Sequence, residues 1–210
     1  MPMDVAAFFE QRVGVPPTLV ARAPGRVNLL GEHTDYNDLP VLPMAIQRRV
    51  CVAIRPRSDG LVVLQNVDPR FSPVEFEILP GIPPHGAGHW GNYAKAPADE
   101  LARRFRIRRG FEGILASDIP VAAGLSSSSA IVTAVGLALA HINEIGLEVR
   151  AFAELMAEAE RRYTGTRGGS MDQTISLAAS AGCATRLTFR PPTSQHVPVP
   201  REWRFIIADT

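Results

Sequence analysis

The chain has 210 residues, with 22 Lys and Arg against 21 Asp and Glu, and its net charge of +1 gives no electrostatic pull toward nucleic acid or a membrane surface. A hydrophobic fraction of 46% beside 20% charged residues is that of a folded globular protein and excludes disorder. Two cysteines, Cys51 and Cys183, are too few for a disulfide framework and point to a reducing, cytoplasmic setting, and no run reaches the roughly 18–20 apolar residues of a membrane span.

Apolar residues at helical spacing predict a first helix from Val5 to Val13, closed by Gly14, Pro16 and Pro17. Asp4, Glu10 and the lack of a basic start set it apart from a signal peptide. Leu19–Leu30 and Val41–Ile54 are rich in Val, Leu and Ile and read as strands, separated by the polar stretch Gly31–Asp38. Strands are also expected at Leu61–Val67 and Val74–Leu79, then a Pro/Gly loop over Leu79–Gly91. A helix follows from Trp90 to Phe105, with Pro97 expected to kink it or start a new turn. Phe111–Ala116 reads as a strand, and the Gly/Ser loop at Gly124–Ser129 opens an alanine-rich helix ending near Asn143. Helices at Arg150–Tyr163 and Ser170–Ser180 come next, followed by strands at Cys183–Phe189 and Trp203–Ala208. Strands first and helices later make the fold class α+β.

Three stretches could carry chemistry. The first, Ala23–Asn37, crowds Glu32, His33, Asp35 and Asn37 into one connection. Such a set suits a sugar, whose hydroxyls each need a polar partner once water is excluded, and equally suits a solvated turn. Arg26 stands among apolar neighbours, where a charge usually has a partner. The second, Pro120–Ala130, lies between a strand and a helix, so backbone N–H groups and the helix dipole could hold a phosphate. It lacks the lysine of a P-loop, and one serine would serve as a simple helix cap, but four in a row exceed what a cap needs. The third, Gly165–Gln173, puts Asp172 in the first turn of a helix beside glycines that allow close ligand approach. By itself Asp172 there needs no role beyond complementing the helix dipole.

Other patterns are set aside. Gly86-Ala-Gly-His-Trp-Gly91 follows a proline-rich loop instead of the strand that a dinucleotide site needs. His85 and His89 have Gly86 and Gly88 between or beside them, which does not make a helical metal site. Gly124-Leu-Ser126 lacks the second glycine of a nucleophile elbow, and the cysteines have no His or Cys at metal spacing.

Taken together, Gly25-Arg-Val-Asn-Leu-Leu-Gly-Glu-His-Thr-Asp-Tyr-Asn37, continued by Val41-Leu-Pro-Met-Ala-Ile46, with Pro120–Ala130 and Gly169-Ser-Met-Asp-Gln173, resemble the galactokinase branch of the GHMP family of small-molecule kinases. The likeness runs from about Leu19 to Asp209. It implies ATP-dependent phosphorylation of galactose at the anomeric hydroxyl. Asp172 would be the catalytic carboxylate facing that hydroxyl, with Arg26 as its partner. Glu32, His33 and Asp35 would bind sugar hydroxyls, and Gly169 would contribute backbone. Gly124, Leu125, Ser126, Ser127 and Ser128 would cradle the ATP phosphates, with Trp90 and Tyr93 near the adenine. Ser127 and Glu160 would hold Mg2+. The resemblance further implies an N-terminal kinase domain over residues 1–202, a mixed sheet packed with helices. Residues 203–210 would be the first strand of a ferredoxin-like C-terminal domain that is otherwise missing, since the family's third, glycine-rich motif is absent. Leu39-Pro40 and Ala96 depart from the pattern, each standing where glycine is usual or next to it. A kinase of N-acetylgalactosamine or arabinose, or a non-catalytic sugar- and ATP-binding regulator, are the alternative readings. Neither nucleic acid nor membrane is an expected partner, and the oligomeric state is left open.

Overall fold

The structure, a computed structural model, describes residues 4–165 and 168–208. Helix α1 (Val5–Val13) begins where the Asp4 carboxylate accepts from the Ala6 and Ala7 N–H groups and ends where Gly14 turns left-handed. Strands β1 (Leu19–Asn28), β2 (Pro43–Pro56), β3 (Leu61–Asn66) and β4 (Val74–Glu77) follow, then α2 (Gly91–Phe105) and β5 (Phe111–Ser117). Helices α3 (Ser127–Ile142), α4 (Val149–Thr164) and α5 (Met171–Ala178) precede a hairpin of β6 (Cys183–Phe189) and β7 (Pro192–Pro198).

The five-stranded sheet runs β1-β2-β5-β3-β4, antiparallel except where β3 lies parallel to β5. Its alternation divides two cores. Val50, Val52 and Ile54 of β2 face the helical layer of α2, α3 and α4, while Cys51 and Ala53 face α1 with Phe9, Ile114 and Ala116. Helix α3 is apolar nearly all round and buried between the sheet and the other helices, as such a helix must be. It comes so close to α4 at Gly136 that a Cβ there would run into the Met156 sulfur. Helix α3 packs on β1 and β2, and its start lies beside β1, where the Arg26 N–H donates to the Leu125 carbonyl. Among the described residues no helix is long and apolar enough to cross a membrane.

Helix α2 contains Pro97 within a single helix. Two other expectations change. A strand absent from the sequence reading, β7, pairs with β6. Its Pro-Thr-Ser-Gln-His-Val-Pro sequence is exposed at every position and framed by prolines, so only an edge strand could accept it, and no apolar alternation announces it. Residues 203–208 form no strand: no strand pairs with them among the described residues, and their large apolar side chains stand exposed. Asp209 and Thr210, the end of the expected last strand, lie outside the described residues, as do Thr166 and Arg167 of the third stretch.

Candidate active site

The centre of the site is an arginine that a strand irregularity aims. Pairing of β1 with β2 shifts register between Pro24 and Arg26, a bulge that re-points the following side chains. At Gly25 the strand passes so near the serine loop that a Cβ would sit 2.8 Å from the Leu125 carbonyl oxygen. The Arg26 N–H donates to that same oxygen at 3.2 Å. The Arg26 guanidinium then reaches two ways. Nε donates to Asp172 Oδ1 at 2.7 Å and Nη2 to Oδ2 at 3.1 Å, a planar fork on a carboxylate, while Nη1 donates to the Gly124 carbonyl at 2.6 Å. With side chains only 13% and 22% exposed, Arg26 and Asp172 form a pair largely shielded from solvent screening.

The first turn of α3 completes the surroundings of Asp172. Ser126 Oγ donates to Asp172 Oδ2 at 2.6 Å. Ser129 Oγ lies 3.4 Å from the same oxygen but 2.8 Å from Glu160 Oε2, so its single proton goes to Glu160. Gln173 Nε2 also donates to Glu160 Oε2, at 2.7 Å. Burial, above all, raises the Glu160 carboxyl, with hydroxyls of Ser129 and Ser128 and the Gln173 amide pulling the other way.

The polar stretch Gly31–Asp38 meets the third stretch at Asp35. The Gly169 N–H donates to Asp35 Oδ2 at 3.0 Å, and a Cβ on Gly169 would collide with that carboxylate, which fixes glycine there. Asn28, two residues after Arg26 and so on the same face of β1, donates to Glu32 Oε2 at 3.1 Å. His33 holds a left-handed backbone, its carbonyl accepting from Asn37 Nδ2. Leu39 is exposed, and its N–H donates to the Thr34 carbonyl, closing the loop. Asp35 and Gly169 stand on the wall of a cavity of about 1020 Å³ bounded by α4, α5 and the β6–β7 hairpin.

A second cavity, of about 740 Å³, is lined by Trp90, Tyr93, Ser127 and Ser128 together with Phe71 and Ile131. Trp90 is anchored by Nε1 donating to the Ser72 carbonyl, and burial raises the Tyr93 hydroxyl. Leu125 is a core residue, so within the serine loop it offers only backbone. Sequence reasoning did not find Ser129 and Gln173 as partners of Glu160, nor Ser126 as a partner of Asp172. The excess of serines over one cap was the available signal for the hydroxyls, and nothing marked Gln173. The rings of His85 and His89 lie 4.2 Å apart, tilted by 41°, and among the described residues no three His, Cys, Asp or Glu gather as a metal site would need.

The Galactokinase galactose-binding signature matches residues 7–56, and the GHMP kinases N terminal domain matches residues 92–180. Galactokinase of Chloroflexus aurantiacus is 40% identical over 204 residues, covering 97% of this chain and 52% of its own. The crystal structure of Lactococcus lactis galactokinase complexed with galactose superposes at a TM-score of 0.83, with 30% identity over 93% of this chain and 51% of that one. Methanococcus jannaschii mevalonate kinase, at 19% identity and a TM-score of 0.70, shares the fold. The fold is thus that of a GHMP kinase N-terminal domain. Within that class the chain belongs to the galactokinase family, and it spans about half the length of the curated relatives it matches.

Proposed function

We propose that this chain serves the ATP-dependent phosphorylation of galactose at its anomeric hydroxyl, in the cytoplasm, with galactose and ATP as its partners. The observation that carries the reading is that Arg26 joins Asp172 to the Gly124 carbonyl. One side chain thereby ties a carboxylate beside the polar stretch Gly31–Asp38 to the loop opening α3. Phosphoryl transfer asks mainly for in-line placement and charge neutralisation, and such a junction supplies both.

In this reading Asp35, Glu32 and His33 bind sugar hydroxyls, and the Gly169 backbone holds Asp35 in place. Asp172 takes the hydrogen bond, and then the proton, of the anomeric hydroxyl. Arg26 holds the Asp172 carboxylate in its two-point fork and adds positive charge near the transferring group. Backbone N–H groups of Gly124–Ser128 hold the phosphates at the positive end of the α3 dipole, and Trp90 and Tyr93 line the adenine side.

The donor set fits Mg2+. Glu160 is a buried carboxylate ringed by serine hydroxyls, and Gln173 Oε1 is a buried oxygen with no partner among the described residues. Hard oxygen donors, one carboxylate and substrate phosphates are what this ion takes. Ser127 and Glu160 would hold it, and it would neutralise phosphate charge.

Calorimetric titration with galactose, and a coupled assay of ADP release with ATP, Mg2+ and galactose, test the reading. Saturable galactose binding and sugar-dependent ADP release are expected. Preference for N-acetylgalactosamine or arabinose would overturn the choice of sugar; no sugar binding at all would overturn the function.

A further inference from the structure

Ser126 is the N-cap residue of α3, the place where serine is most at home, yet its hydroxyl makes no capping bond. The contrast lies in the same chain. Asp4 accepts two N–H groups at the start of α1, and Glu148 accepts those of Arg150 and Ala151 at the start of α4. Ser126 also holds a left-handed backbone, φ 58° and ψ 41°, which costs any residue with a Cβ and which glycine adopts freely. Helix and backbone would both be served better by glycine, so what the serine contributes lies elsewhere. It lies at 2.6 Å: the hydroxyl gives its proton to Asp172 Oδ2.

We propose that Ser126 is a positioning residue for Asp172, kept in a strained, uncapped conformation because its hydroxyl fixes the orientation of that carboxylate. The proposal rests on the reading of Asp172 given above. Among the described residues the geometry leaves the task to Ser126 alone of the neutral donors, since Ser129 spends its proton on Glu160. Arg26 holds the carboxylate from one side in the plane of its fork, and Ser126 fixes it from the helix side. Oδ2 is thereby occupied, and Oδ1, which among the described residues accepts only from Arg26 Nε, is the oxygen left for the sugar hydroxyl.

Two substitutions separate the contributions. Ser126→Gly removes hydroxyl and strain together; Ser126→Ala removes the hydroxyl and keeps the strain. Both are expected to lower kcat for galactose about tenfold, as loss of precise orientation does, with the KM for ATP unchanged. Only Ser126→Ala should also lower the Tm. Wild-type turnover in Ser126→Gly would overturn the proposal, as would a raised KM for ATP with kcat intact, which would make Ser126 a nucleotide contact instead. A second measurement needs no catalysis. In an Asp172→Ala background the hydroxyl has lost its acceptor, so Ser126→Gly should raise the Tm by about 2–4 °C more than it does in the wild-type background. An equal shift in both backgrounds would overturn the proposal. Should the wild-type chain fail to phosphorylate galactose, the functional reading falls, and the thermal comparison still decides whether Ser126 is tied to Asp172.

Discussion

Asp172 already accepts three short hydrogen bonds, two from Arg26 and one from Ser126, before any ligand is considered. Asparagine can accept on one side only and would turn an N–H₂ toward the guanidinium. Asp172→Asn should therefore cut turnover by at least about a thousandfold while leaving galactose affinity within about tenfold, because the proposed sugar contacts are spread over several groups. Galactose 1-phosphate formed per enzyme measures the first and calorimetry the second; near-normal turnover would remove Asp172 from its role. At Asp35 the balance is reversed. Its carboxylate holds the Gly169 N–H, so Asp35→Ala leaves a donor unpaired and should weaken galactose binding by roughly 2–4 kcal/mol with little change in ATP affinity. Equal loss for both ligands would indicate damage to the fold. Of these contacts, the sequence made Arg26 legible as a charge among apolar residues in need of a partner. It could not show which partner without the family resemblance, because the two are 146 residues apart and meet only through a bulge. Ser126 was illegible in its present role for a sharper reason: a serine before a helix reads as a cap, and only the left-handed backbone reveals that it is not one.

Helices α3, α4 and α5 meet at a single carboxylate, Glu160, through Ser129 and Gln173. Burial raises its folded-state pKa above the ordinary value of 4.5. The stability this contributes is complete below that ordinary value and is lost as pH climbs through the raised one, where the folded protein must ionise a buried group. Glu160→Gln should consequently raise the Tm by about 2–5 °C at pH 8, with the gain shrinking toward pH 5. A pH-independent difference would show that burial of charge is not the cause. The same substitution should lower Mg2+-dependent turnover, the usual exchange between stability and a charged site. Elements with strong local signals were legible: α1 has its Asp4 cap, its apolar spacing and its closing Gly14, and begins and ends where the pattern says. Strand β7 has none of these, being defined entirely by its pairing with β6. The apolar run at 203–208 shows the converse, since strand propensity makes no strand without a neighbour to pair with.

Over the whole molecule, that run leaves Trp203, Phe205, Ile206 and Ile207 exposed, with Ile206 at 93%. A run of exposed apolar side chains invites association. Ile206→Lys should reduce concentration-dependent light scattering without lowering the Tm, and unchanged scattering would place any association on another surface. A different consequence follows from Arg26, whose one guanidinium grips the Gly124 carbonyl and Asp172 together. A displacement of the loop at the start of α3 would be felt at the carboxylate, so on the proposed reading occupancy of the phosphate side and of the sugar side should be thermodynamically linked. Galactose should bind more tightly in the presence of a non-hydrolysable ATP analogue, and the analogue more tightly with galactose, by the same factor. In Arg26→Lys an ammonium cannot span both acceptors, and the factor should fall toward one. Were galactose affinity in the wild-type chain indifferent to the analogue, the two halves of the site would be independent, and Arg26 would be a brace with no message to carry.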